Sequence, residues 1–364
     1  MPKILVIADD FTGAAEMGGI AHLYGFRVKF ISNPTWPKAF AEDVLVLDTD
    51  SRNLNGEDAA TKVQKFVSGF QPEDFSLIYK KTDSVLRGQV EAEIKALLKW
   101  TGFSGSVLAP ANPSKRRTIV NGHYLIDGQP IHETDFLLDP IYPRRHSEVV
   151  RLLGDHVEAT HANDFSHNTG IIIPDVLSID QLNGLLSTIS LDNCLLSGGA
   201  DFFRSVLTTK LQLGEQAKYN TNQISGARCF IIGSTSNSSR QTVQRLQEQG
   251  LPLLSLPRAG LYDQVVFRSW LDHIKSNLKN ELGLVVSSPA EHITDPADKK
   301  NITKRLASAG KFILQNGSQH KHLFVEGGET ARAIMDEAEV PDLRLDGVLA
   351  DGVVRFWSDR YHFI

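Results

Sequence analysis

Two adjacent carboxylates close the first apolar run of this 364-residue chain, Ile4-Leu5-Val6-Ile7-Ala8-Asp9-Asp10-Phe11-Thr12-Gly13. In an open α/β sheet, ligands bind outside the carboxyl ends of the strands, where Asp9 and Asp10 stand. The plainer reading makes Asp10 a helix cap and Asp9 a loop carboxylate. A second acidic strand end, Asp48-Thr49-Asp50-Ser51-Arg52, carries an arginine. The densest polar cluster follows a fourth run, as Lys80-Lys81-Thr82-Asp83-Ser84-Val85-Leu86-Arg87-Gly88. Lying between a strand end and a helix start, it offers backbone N–H groups to an anion. Arg87 can grip a carboxylate with two parallel bonds, which a lysine cannot. Against this stands a solvated loop whose charges pair among themselves.

The second half has strand ends of another kind. Gly233-Ser234-Thr235-Ser236-Asn237-Ser238-Ser239 sits between a strand and a helix and suits a phosphate, although serine-rich helix starts are also ordinary caps. Gly327-Gly328-Glu329-Thr330 follows His322–Glu326 and is predicted to precede a helix from Ala331. Its glycines allow close backbone approach, and Glu329 could hold a metal through water. Hydroxyl- and glycine-rich ends in this half suggest a nucleotide site. The acid- and base-rich ends in the first half suggest a small polar substrate.

Short apolar strands alternating with helical periodicity must position these residues, which predicts α/β architecture with mostly parallel sheets flanked by helices. Strands are expected at 28–31, 44–47, 76–79, 106–109, 171–173, 194–196, 229–232 and 283–286, with a first helix over 13–24. Ser197-Gly198-Gly199-Ala200 reads as a glycine turn for close backbone approach. The polar stretch from Lys115 to Thr134 reads as a hairpin or flap, and its Lys115-Arg116-Arg117 triplet as a steering patch or a solvated turn. Apolar periodicity lapses over 211–226, placing a linker there and domains at 1–215 and 216–364.

A hydrophobic fraction of 41%, a charged fraction of 22% and a net charge of −5 with no long basic block argue against nucleic-acid and anionic-membrane partners. The two cysteines, Cys194 and Cys229, flank apolar strands and read as buried thiols of a reducing compartment. No basic-then-apolar leader opens the sequence and no run reaches membrane-spanning length, so a cytoplasmic enzyme is expected. Neither a P-loop nor an HExxH pattern occurs, which removes P-loop kinases and zincin-type proteases.

The opening motif and Lys81-Thr82-Asp83-Ser84-Val85-Leu86-Arg87-Gly88 resemble the four-carbon acid sugar kinase family, with Val85 at a usual threonine. Gly233-Ser234-Thr235-Ser236 and Gly327-Gly328-Glu329-Thr330 are similar to two further motifs of that family, in the same order. The family's glycine-bearing segment near the C-terminus has no counterpart before Tyr361-His362-Phe363-Ile364. The resemblance implies a sugar-acid-binding N-terminal domain, an ATP-binding C-terminal domain and an active site in the cleft between them. It further implies ATP and Mg2+, with threonate, erythronate or 3-oxo-tetronate as acceptor, and leaves a homodimer open. Asp9, Asp10, Asp83 and Arg87 would then belong to the acid site, together with Thr12, Gly13 and Ser84. Ser234, Ser236, Gly327, Gly328, Glu329 and Thr330 would belong to the nucleotide site. In-line phosphoryl transfer needs mainly positioning and charge stabilisation, with a carboxylate to orient or deprotonate the hydroxyl. Asp10 or Asp83 would be that base, Arg87 would hold the acid's carboxylate, and Lys81 would offset charge near the phosphoryl group. Two rival readings are a phosphatase with an aspartyl nucleophile at Asp10 acting on a sugar-acid phosphate, and a non-catalytic sugar-acid-binding protein.

Overall fold

The computed structural model describes all residues except 1–2, 35–39, 140, 155–156, 164–168, 191–192, 216–218, 220–225, 235, 292, 294, 318–321, 341–342 and 359–361, and omits the side chains of 237 and 296. The chain divides into two compact units, Met1–Lys218 and Tyr219–Ile364. Residues 216–218 and 220–225 of the predicted linker lie outside those described.

The first unit comprises β1 (Ile4–Ala8), α1 (Phe11–Leu23), β2 (Val28–Ile31), β3 (Val44–Asp48), α2 (Gly56–Val67), β4 (Leu77–Lys81), α3 (Val90–Thr101) and β5 (Gly105–Ala109). A small antiparallel sheet follows, of β6 (Arg117–Val120), β7 (His123–Ile126) and β8 (Gln129–Pro130). The unit closes with β9 (Ala159–His161), β10 (Gly170–Ile173), α4 (Ile179–Thr188), β11 (Cys194–Gly198) and α5 (Ala200–Thr209). Its main sheet runs β2-β3-β1-β4-β11-β5-β10-β9, with every pairing parallel. Residues Ile4 to Ala8 are fully buried, as strands covered on both faces must be, which is why they read as an unbroken apolar run.

Register decides what meets at the sheet's carboxyl edge. Ala8 lies opposite both Asp48 and Lys81, and Gly198 lies opposite both Lys81 and Ala109. The residues that follow Ala8, Asp48 and Lys81 therefore emerge side by side. The chain leaves β1 for β2 and β3 on one side and then crosses to β4 on the other, the switch that opens a crevice at this edge.

The second unit comprises β12 (Arg228–Ile232), α6 (Asn237–Glu248), β13 (Leu253–Ser255), α7 (Gln264–Asn277), β14 (Gly283–Ser287), α8 (Pro296–Asn316), β15 (His322–Glu326), α9 (Gly328–Glu337), β16 (Leu343–Ala350), β17 (Val353–Trp357) and β18 (His362–Phe363). Its strands follow the order β13-β14-β12-β15-β18-β17-β16, parallel from β13 to β18 and antiparallel beyond. Ile232 lies opposite Ser287 and Glu326, and Ser255 opposite Ser287, so four strand ends share one edge.

Two expected boundaries shift. β4 continues through Lys80 and Lys81, both buried, where a loop was predicted. α9 begins at Gly328 rather than Ala331, so Gly328, Glu329 and Thr330 form its first turn. Both cysteines are free and buried, and burial pushes their thiols up to about 11 for Cys194 and about 12 for Cys229. No described helix is long and apolar enough to cross a membrane.

Gly198 is required by close packing. At φ 156°, a Cβ built there would stand 2.1 Å from the Ala109 carbonyl oxygen on β5. Gly198→Ala should therefore destabilise the chain by at least about 2 kcal/mol in urea denaturation, since backbone has to give way. A change below about 0.5 kcal/mol would contradict that packing.

Candidate active site

Arg52, the residue four places past β3, brings the acidic strand ends together. Its Nε and Nη2 donate to Asp9 Oδ2 and Oδ1 at 2.7 and 3.0 Å, while Nη1 lies 2.6 Å from Asp10 Oδ2 and 3.9 Å from Asp83 Oδ1. One guanidinium thus stands among three carboxylates. The turn carrying it is held to β1, because Ser51 N and Arg52 N donate to Asp9 O at 2.9 and 3.2 Å. Gly88 makes room for it: at φ 92°, a Cβ there would stand 3.2 Å from Arg52 Cγ and 3.3 Å from Asp9 Oδ2. Tyr142 closes the other side, its hydroxyl donating to Arg52 O at 2.5 Å.

Asp10 also caps α1, with Oδ1 accepting from Gly13 N at 2.8 Å, so the plainer reading of Asp10 is true as well. Thr12 is exposed on the first turn, and Gly13 is buried. A Cβ at Gly13 would fall 2.8 Å from Asp10 Oδ1 and 3.5 Å from Lys81 Nζ, which keeps all three in one cluster. Lys81 Nζ donates to Thr82 O at 2.9 Å and lies 3.5 Å from Glu16 Oε2, whose other oxygen takes Lys115 Nζ at 2.9 Å.

The segment after β4 is organised by Asp83. Its Oδ2 accepts from Val85 N, Arg87 N and Arg87 Nε, each at 3.1 Å, and Oδ1 accepts from Arg87 Nη2 at 2.8 Å. Leu86 adopts the left-handed region within this turn, at φ 63°. The Arg87 fork expected to grip a substrate carboxylate is engaged by Asp83 in this structure. Its remaining Nη1 donates to Asp139 Oδ2 at 3.3 Å. Ser84 is held from the small sheet, its hydroxyl by Arg117 and its carbonyl by the Tyr124 hydroxyl at 2.5 Å. The predicted hairpin therefore reaches the site.

Beneath lies a fully buried ion pair, Lys80 Nζ to Glu93 Oε2 at 2.6 Å. The other Glu93 oxygen accepts from Ser51 Oγ at 2.5 Å, and Ser51 Oγ meets Thr49 Oγ1 at 2.7 Å. Burial alone would raise the Asp9 carboxyl, but Arg52, backed by Lys80, holds it below its ordinary value. Asp10 moves the other way: burial and the Asp9 charge push it up more than Arg52 and Lys81 pull it down. Asp83 is held well below the usual carboxylate range, where burial is outweighed by the Arg87 hydrogen bonds and by Arg52. Adjacent carboxylates with pKa values driven apart are the usual arrangement of a base beside an anchor.

In the second unit, Ser236 caps α6 with Oγ accepting from Ser239 N at 3.1 Å, and the Ser239 hydroxyl donates to Glu326. Gly233 is pinned beneath α9, since a Cβ there would stand 2.1 Å from Thr330 Oγ1. Gly327 enters that helix at φ 108°, and no side chain caps it, which leaves a helix start suited to phosphate. Beside them a cavity of about 230 Å³ is lined by Ser234, Ser239, Ser255, Ser287 and Ser288 with Val243 and Leu253. Thr235 lies outside the described residues. Among the described residues no group of three or more His, Cys, Asp or Glu could hold a metal ion.

Asp9, Asp10, Gly13, Lys81, Asp83, Ser84 and Arg87 thus lie together at the carboxyl edge of the first sheet. Arg52 was visible as an arginine at an acidic strand end but had no assigned role. Ser255, Ser287 and Ser288 carried no signal beyond being polar at the ends of short strands.

The sequence family described as sugar-binding N-terminal domain matches residues 4–170. The D-threonate kinase of Salmonella typhimurium is 34% identical over 152 residues, covering 42% of this chain and 36% of that protein. The D-threonate kinase of Bordetella bronchiseptica is 25% identical over 97% of this chain and 89% of its own. A crystal structure from Salmonella typhimurium LT2 shares the fold, with a TM-score of 0.81 at 17% identity over 100% of this chain and 95% of that one.

The raised Asp10 carboxyl has a consequence for stability. Its charged form is disfavoured by folding, so the penalty is absent below the unfolded pKa of about 3.9 and complete above the raised folded value. Asp10→Asn keeps a cap oxygen and loses the charge. Calorimetry should show it melting about 2 °C or more above wild type at pH 7, with the gap closing near pH 4. A lower melting temperature at pH 7 would contradict the assignment.

Proposed function

We propose that this chain is a four-carbon acid sugar kinase, which transfers the γ-phosphoryl group of ATP to a hydroxyl of a threonate, erythronate or 3-oxo-tetronate type acid. One observation carries the chemistry: Asp9 and Asp10 share Arg52, yet only Asp10 is left basic. Asp10 is the general base that takes the proton of the acceptor hydroxyl, because its raised pKa brings it nearer neutrality while its side chain stays a quarter exposed. Asp83 is excluded from that role by its depressed pKa and by the donors that occupy both its oxygens. It shapes the 83–88 turn instead. Asp9 anchors Arg52, and Arg52 orients Asp10.

Lys81 offsets charge that develops near the acceptor. Thr12, Gly13 and Ser84 contribute hydroxyl and backbone contacts to the acid. In the second unit, Ser234, Ser236 and the Gly327–Thr330 turn hold phosphate, and the neighbouring cavity admits part of the nucleoside. ATP would bring the phosphoryl group, and the Mg2+ that accompanies it would neutralise charge on its phosphates. The cytoplasm, with buried free thiols kept reduced, is the compartment.

Coupled ADP release across threonates, erythronates and their 3-oxo forms should respond to at least one acid. Asp10→Asn should lower kcat with that acid by roughly 10²- to 10⁴-fold while leaving its KM nearly unchanged. Retention of turnover within about tenfold would remove Asp10 as base. Phosphate release from a sugar-acid phosphate without nucleotide would replace the kinase reading by the phosphatase one.

A further inference from the structure

Three arginines near the acid site use the same chemistry to different ends. Arg52 spends its Nε and Nη2 on the two oxygens of Asp9, and Arg87 spends its Nε and Nη2 on the two oxygens of Asp83. Arg144 has the same side-on fork, and no described residue fills it. Its side chain is buried, at 7% residue exposure, and both Nε and Nη2 are sealed from solvent with no hydrogen-bond partner among the described residues. Only Nη1 is satisfied, donating to Leu152 O at 2.9 Å.

An arginine does not give up its proton in a protein, so this is a buried cation with its strongest donor pair unspent. Such groups are rare in native structures and call for a partner. The position supports that. The Arg144 guanidinium lies 5.9 Å from the Tyr142 ring centroid, and its backbone N–H donates to Phe136 O at 2.9 Å. Asp139 on the same segment accepts from Arg87 Nη1, and Tyr142 donates to Arg52 O, so one stretch of chain touches both site arginines. Asp83, Arg87, Asp139 and Tyr142 are the titratable groups whose charges Arg144 senses. Of the two acids, Asp83 is already engaged by Arg87, and Asp139 by Arg87 and by the N–H groups of Ile141 and Tyr142.

We propose that Arg144 is the receptor for the acceptor's carboxylate, its Nε and Nη2 fork taking the two oxygens that no described aspartate supplies. A carboxylate matches that fork in charge and in oxygen spacing, as Asp9 and Asp83 show for the other two arginines. The assignment rests on the sugar-acid reading above and makes Arg144 the residue that separates an acid from an uncharged polyol or amide of the same length.

The test uses the full chain. KM and kcat come from ADP release, and acid affinity comes from titration calorimetry, for wild type, Arg144→Met and Arg144→Lys. Arg144→Met should raise KM and Kd for the preferred acid roughly 10- to 100-fold, with KM for ATP within about twofold and little further loss toward the matching four-carbon amide. Arg144→Lys, which keeps the charge but not the fork, should restore part of the affinity and guards against a Met variant that fails to fold. An unchanged acid KM and Kd in either variant, or equal losses for acid and amide, would overturn the assignment and leave Arg144 a packing residue. Wild-type silence toward every four-carbon acid would instead strike the kinase reading, and calorimetry of acid binding would still judge Arg144.

Discussion

A single guanidinium wedged between two consecutive carboxylates is the constraint on which the first unit turns. Asp9 and Asp10 leave a buried parallel strand in succession, and without a cation between them both could not stay charged at that depth. Arg52 supplies it from the neighbouring strand end, and the parallel register that sets Ala8 beside Asp48 and Lys81 is what puts it in reach. Gly88 leaves space for its stem, and Tyr142 holds its carbonyl. The asymmetry of the grip matters most. Asp9 receives two nitrogens, whereas Asp10 receives one and gives its other oxygen to the helix cap.

The layer below reinforces that asymmetry. Lys80 and Glu93 are buried together, a pairing whose desolvation cost makes it weak support for stability by itself. Its geometry ties α3 to β4 and, through Ser51 and Thr49, to the turn that carries Arg52. Lys80 also lowers Asp9, while Asp9 in turn raises Asp10 and Glu93. The charges of the edge therefore form one connected set, in which anchoring Asp9 is what frees Asp10 to accept a proton.

Much of this was legible in the residues because parallel strands buried on both faces read as unbroken apolar runs. The opening strand, the helix it leads into and the 81–88 cluster all fell where alternation placed them. Lys80 reads as loop in the sequence because a lysine at the end of an apolar run looks like the start of one. Its partner Glu93 lies on the buried face of α3 beside Val90, Ile94 and Leu97, and an acid at that helical spacing was the one available signal. The Arg87–Asp83 pairing was hidden for a related reason: a bidentate arginine can serve its own loop as readily as a ligand. Arg144, in an Arg144-Arg145 pair that composition assigns to solvent, becomes conspicuous only once its burial is known. The serines at the ends of β13 and β14 needed strand order, which single-sequence periodicity does not contain.

The most direct measurement is a carbon NMR titration of aspartate side chains in 13C-labelled protein, with resonances assigned by Asp9→Asn, Asp10→Asn and Asp83→Asn. Asp10 should titrate above the ordinary aspartate value of about 3.9, and Asp9 and Asp83 below it. An Asp10 midpoint at or below that of Asp83 would contradict the account.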